Sequence, residues 1–168
     1  ITLLFILISV VLFFGPLFVF SSAEELQGYY DEYGFSFTNI VDKPWTIITS
    51  IFLHGSLEHL LSNMLVLVFF GIAVEGEKGS LKMMALFFGG ALFADLVSLF
   101  FYAPGTVFIG ASAGIFALIG AGMLLKPLDV SFYPHVVPVP LSFLGIAYIL
   151  YNIYAVFSGA GGNISYIG

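Results

Sequence analysis

Cysteine and arginine are both missing from this chain of 168 residues, and only 8% of its residues are charged. Without cysteine there are no disulfides, no thiolate nucleophile and no Cys-based metal site. Charges this scarce, set against 60% hydrophobic residues and a mean hydropathy of +1.10, cannot form a water-facing shell, which excludes a soluble domain. The basic residues reduce to Lys43, Lys78, Lys82 and Lys126, and the net charge of -6 argues against a nucleic-acid partner.

What remains is a series of long apolar runs. A bilayer core of about 30 Å takes roughly 20 apolar residues in helix. Runs of that kind place spans at 1–20, 57–74, 81–102, 111–125 and 141–157. The runs are continuously apolar and lack the in-out alternation of barrel strands, so the expected fold class is all-α, a polytopic bundle of transmembrane helices. Residues 1–20 follow no basic leader and end in no small-x-small cleavage site, so they read as a retained span. The chain opens without methionine and stops just after a Gly-rich stretch, and it is therefore expected to be part of a longer protein.

Lys78, Lys82 and Lys126 flank the second, third and fourth spans on one side, which the positive-inside rule makes cytoplasmic. The long connection 21–56 then lies on the opposite side, with Glu24, Glu25, Asp31, Glu32 and Asp42 among Tyr29, Tyr30, Tyr33, Phe35, Phe37 and Trp45. It reads either as a segment folded at the interface or as a plain aromatic belt. Between the fourth and fifth spans Pro127, Pro134, Pro138 and Pro140 forbid a continuous helix. His135 in that connection reads as a solvated loop residue.

Chemistry concentrates in two places. At the outer end of the second span, His59 and Asn63 stand four residues apart on one helical face, bordered by Ser62 and preceded by His54. Polar groups inside a membrane face a bundle interior or a hydrated pocket. From this pair alone, hydrogen bonding between helices is the simpler reading. The fourth span opens Gly110-Ala111-Ser112-Ala113-Gly114. This fits the G-x-S-x-G pattern of soluble hydrolases, but their strand-to-helix context is missing. Gly110 and Gly114 share one track and Ala113, Ala117 and Ala121 another, so neighbouring backbones can come close and the span is expected at the centre of the bundle. Ser112 would then sit at a helix start, near free backbone N–H groups and the same membrane face as His59 and Asn63. These are ingredients for acyl transfer with a stabilised oxyanion. A base for the serine is not evident, His54 and His59 being formal candidates only. Asp95, inside the third span, reads equally as a proton carrier or as a structural group that caps a helix or bonds Ser98.

Taken together these residues resemble the rhomboid family of intramembrane serine proteases. The stretch 54–79, with His59, Asn63, Phe70-Gly71, Glu75 and Gly79 in order, is similar to the family's second-span signature, and Gly110-Ala111-Ser112 to its nucleophile motif. The resemblance covers most of 1–168 and implies five spans present of six. It implies that Ser112 is the nucleophile, that His59 and Asn63 with the Ser112 N–H line an oxyanion hole, and that Gly110 and Phe116 support them. The family's catalytic histidine lies on the sixth span, expected beyond Gly168, with 158–168 the loop leading to it. This stretch alone should therefore be inactive. Trp45-Thr46 departs from the Trp-Arg common in the family's first loop. Tyr148, Tyr151, Asn152 and Tyr154 match the family's proposed substrate gate by position, or else mark an ordinary lipid-facing helix. The implied partners are transmembrane protein substrates and membrane lipid, the active site opens to the non-cytoplasmic face, and neither metal nor cofactor is needed. The alternative is a non-catalytic relative that binds or escorts membrane proteins.

Overall fold

Lipid offers backbone groups no hydrogen-bonding partner, so a chain this apolar satisfies them within helices. The structure, a computed structural model, describes residues 1–129 and 139–158, with side chains as far as Tyr154. His135, Pro134 and Pro138, and residues 159–168, expected to form a loop, lie outside the described residues. The helices are α1 (Thr2–Val19), α2 (Ala23–Tyr33), α3 (Thr46–Thr49), α4 (Leu57–Lys78), α5 (Ser80–Ser98), α6 (Ser112–Leu125) and α7 (Leu141–Ser158). Among the described residues there is no strand, only an isolated antiparallel bridge between Phe35 and Phe108.

Each expected span coincides with a helix. α1, α4 and α5 are long and apolar enough to cross a bilayer, whereas α6 and α7 as far as Tyr154 are apolar but shorter. Most helix ends fall within one residue of the expected edges, and two differ by four. α4 runs past Val74 to Lys78, and the Glu75 carboxylate is bonded by the Thr2 amide at 2.9 Å, the Thr2 hydroxyl at 2.7 Å and the Ser80 hydroxyl at 2.6 Å. One carboxylate thus ties α1 and α5 to α4, and a charged residue within an apolar run is accommodated. α5 stops at Ser98, short of Tyr102, where the Ser98 hydroxyl turns back to the Asp95 carbonyl at 2.7 Å and tight turns follow.

The connection 21–56 is folded. Ser22 and Glu25 form a reciprocal capping box that starts α2. α3 continues into a 3-10 turn, Ser50–Phe52, that leads to α4. Ser56 caps α4 by accepting from the His59 amide at 3.1 Å.

α6 is central, packed against α4, α5 and α7. Close approach is built from small residues: Gly114 lies against the Phe87 ring and carbonyl, and Gly90 against Ala117. Leu67, Met83, Phe87, Ile115 and Leu118 are fully buried between these helices. In lipid such contacts hold helices together by dispersion and fit rather than by exclusion of water. The outward faces stay apolar, with Leu3, Leu7 and Phe18 on α1 and Phe93 and Leu96 on α5 exposed.

Candidate active site

Ser112 is the first residue of α6 and is 5% exposed. Ala111 before it supplies no capping side chain, so the first amides of α6 have no intrahelical acceptor and point out of the helix start. The approach to Ser112 is not a strand but an irregular loop held by protein groups. Phe35 and Phe108 exchange backbone hydrogen bonds of 3.0 and 2.7 Å, and the Gly110 amide donates to the Ser50 carbonyl at 2.9 Å. Non-helical backbone within an apolar bundle is tolerated where protein satisfies it in this way.

Gly110 brings the two motifs together. Its φ of +122° favours glycine. A Cβ there would also meet His59 at 2.7 Å from Cε1 and 2.9 Å from Nε2, with Asn63 Nδ2 at 3.9 Å. The His59 imidazole on α4 therefore lies directly against the loop two residues ahead of Ser112, with the Asn63 amide next to it. Both are buried, at 4% and 1% exposure. Ser62, on the border of that face, donates instead to the His59 carbonyl of its own helix at 3.1 Å.

His54 belongs to this group but not as a base. Its Nδ1 lies 3.1 Å from the Phe52 carbonyl and its Nε2 3.1 Å from Asn63 Nδ2. Burial, and next the nearby His59, lower its pKa to about 3, which keeps the ring neutral. A carbonyl can only accept, so Nδ1 carries the proton and Nε2 accepts from Asn63. Both ring nitrogens are occupied, and the formal candidacy of His54 as the serine's base ends there.

The role of α7 was the least legible part of the sequence. Tyr148 does not simply face lipid: its hydroxyl donates to Asn63 Oδ1 at 2.9 Å, and its ring lies 5.5 Å from that of Phe116. Tyr151 donates to Glu58 at 2.8 Å, while Tyr154 is exposed. The polar positions 148, 151 and 152 follow helical spacing and were the available signal. Asp95 lines a small cavity of about 30 Å³ behind the Ser112 loop, with Ser50, Ile109, Gly110 and Ala113. Among the described residues, no three His, Cys, Asp or Glu side chains converge as a metal site would require. Phe116 packs against Tyr148 and Gly110 against His59, and the histidine expected beyond Gly168 lies outside the described residues.

The Rhomboid domain family matches residues 41–168. RHOMBOID-like protein 4 of Arabidopsis thaliana is 37% identical over 87 residues, covering 49% of this chain and 21% of that protein. Rhomboid-like protease 2 of Toxoplasma gondii is 35% identical over 80 residues, covering 48% and 28% respectively. RHOMBOID-like protein 12, mitochondrial, of Arabidopsis thaliana is 29% identical over 140 residues, covering 71% and 40%. The chain thus spans about a fifth to two-fifths of the length of these curated relatives.

Proposed function

We propose that this chain, which belongs to the rhomboid family and is an integral membrane protein, carries the nucleophile half of an intramembrane serine protease. Ser112 Oγ attacks the carbonyl carbon of a peptide bond in or near a transmembrane segment. The base that takes its proton is, by family resemblance, a histidine on a sixth span beyond Gly168. His59, Asn63 and the Ser112 amide donate to the oxygen as negative charge develops on it, and that charge stabilisation lowers the barrier. Collapse of the tetrahedral intermediate expels the amine, which takes the proton held by that histidine; water, deprotonated by the same base, then releases the acyl group as a carboxylic acid and Ser112 recovers its proton. The site would open toward the non-cytoplasmic face, opposite the end of the bundle that carries Lys78, Lys82 and Lys126.

The observation that supports this reading is the close approach of Gly110, two residues ahead of the buried Ser112 at its helix start, to His59, with the Asn63 amide beside it in an apolar bundle. Burying these groups costs free energy, and a bundle held by packing alone does not need them there. The test is mass-spectrometric detection of a fluorophosphonate probe on the full-length protein in detergent, beside Ser112→Ala. Labelling at Ser112 that the alanine variant loses supports an activated serine. A folded full-length protein that takes no label points to the second reading, a relative that binds or escorts membrane proteins.

A further inference from the structure

We infer that His54 and Tyr148 are positioning residues that clamp the Asn63 amide from both ends and aim its remaining N–H at the oxyanion; this rests on the protease reading above.

The geometry is specific about which end of the amide goes where. Phe52 O accepts from His54 Nδ1, which leaves Nε2 as a lone-pair acceptor 3.1 Å from Asn63 Nδ2. On the opposite side the Tyr148 hydroxyl, 2.9 Å from Oδ1, has its proton to give. Turning the amide over would set Oδ1 against the Nε2 lone pair, two acceptors facing each other, and would lose the Nδ2–H bond to His54. The three residues come from different elements: His54 from the segment before α4, Asn63 from α4 and Tyr148 from α7. His54 is itself anchored, because its carbonyl accepts from the Tyr30 hydroxyl of α2 at 2.9 Å. Of the two hydrogens on Nδ2, one is committed to His54. The other belongs to a nitrogen lying beside the Gly110 backbone, two residues from Ser112. A donor held in place before charge develops needs no reorganisation during the reaction, and this is where its catalytic value arises.

His54 and Tyr148 on this account touch neither substrate nor Ser112. They act through Asn63, and a double-mutant cycle separates that from a role in holding the bundle together. The rate to follow is fluorophosphonate labelling of Ser112 in the full-length protein. There Ser112 Oγ displaces fluoride from phosphorus, its proton passes to the base, and the phosphoryl oxygen occupies the oxyanion position. Asn63→Ala is expected to slow labelling about 100-fold, and Tyr148→Phe about tenfold. His54→Phe should act like Tyr148→Phe, while His54→Gln, whose amide oxygen can still accept from Asn63, should recover most of the rate. If His54→Phe does not fold, Tyr148→Phe, which removes a single hydroxyl, carries the test. In the Asn63→Ala background, Tyr148→Phe should cost nothing further.

Equal slowing by Tyr148→Phe in both backgrounds would overturn the clamp, since the tyrosine would then act independently of Asn63. No slowing by Tyr148→Phe, beside a strong effect of Asn63→Ala, would overturn the clamp and leave the protease reading standing. Wild-type labelling rates in Asn63→Ala would remove the oxyanion assignment and the clamp with it. A wild-type protein that never labels at Ser112 would remove the protease reading itself.

Discussion

At the residue scale, Gly110 meets two independent demands, a positive φ and contact with the His59 ring. Gly110→Ala is expected to lower stability by about 1–3 kcal/mol through strain. It should also slow Ser112 labelling, because the new methyl pushes His59 away; thermal unfolding in detergent and the labelling rate read the two effects separately. His54 makes a prediction in pH. Its folded pKa of about 3 lies below the ordinary value of 6.5, so the folded state resists a proton that the unfolded state accepts. The stabilisation from the neutral ring is complete above pH 6.5 and is lost as pH falls toward 3, at up to about 1.4 kcal/mol per pH unit. His54→Gln should flatten that part of the stability profile, and an unchanged slope would mean that other groups carry it. His59, Asn63 and Ser112 stood out as candidates because polar residues are conspicuous in an apolar chain, and the family resemblance joined them into one set. The partners of His54 were not legible, because a hydrogen bond to a carbonyl two residues back leaves no mark in sequence.

At the element scale, the small-residue tracks of 110–121 announced a central helix, and α6 has that place. The reason is steric: Gly114 and Gly90 let α5 and α6 approach to the distance at which Phe87 and Ala117 fill the gap. Gly114→Ala would set a methyl 2.7 Å from the Phe87 carbonyl oxygen, and is expected to cost about 1–3 kcal/mol as an overpacked contact. Gly120→Ala, on the same helix with nothing within 4 Å, should be neutral or slightly stabilising. Unfolding of the two variants side by side isolates packing from helix propensity. Helix ends were less legible than helix positions. Glu75 looks like a charge that should end an apolar helix, and the Thr2 and Ser80 groups bonded to it show how α4 accommodates it. α7 could not be oriented from composition, because tyrosine serves lipid interfaces and polar sites equally well.

At the scale of the whole molecule, α4 and α6 both start at the end that holds His59 and Ser112, and both finish at the end that holds Lys78 and Lys126, where Lys126 lies 3.6 Å from Glu77. The lysine asymmetry read from sequence therefore describes two physical ends of one bundle. The absence of cysteine from these 168 residues leaves no competing thiol within them. Lys82→Cys is expected to react with a membrane-impermeant maleimide only from the cytoplasmic side, and Asp42→Cys only from the opposite side; the reverse pattern would invert the orientation. The bridge between Phe35 and Phe108 has a consequence of another kind. The Phe35, Phe108 and Gly110 amides are donors in one short chain of bonds that runs from the first connection to the threshold of α6. In hydrogen–deuterium exchange they should open as a single cooperative unit, so the lifetime of the frame around the serine is set by the outer segment that leans on it.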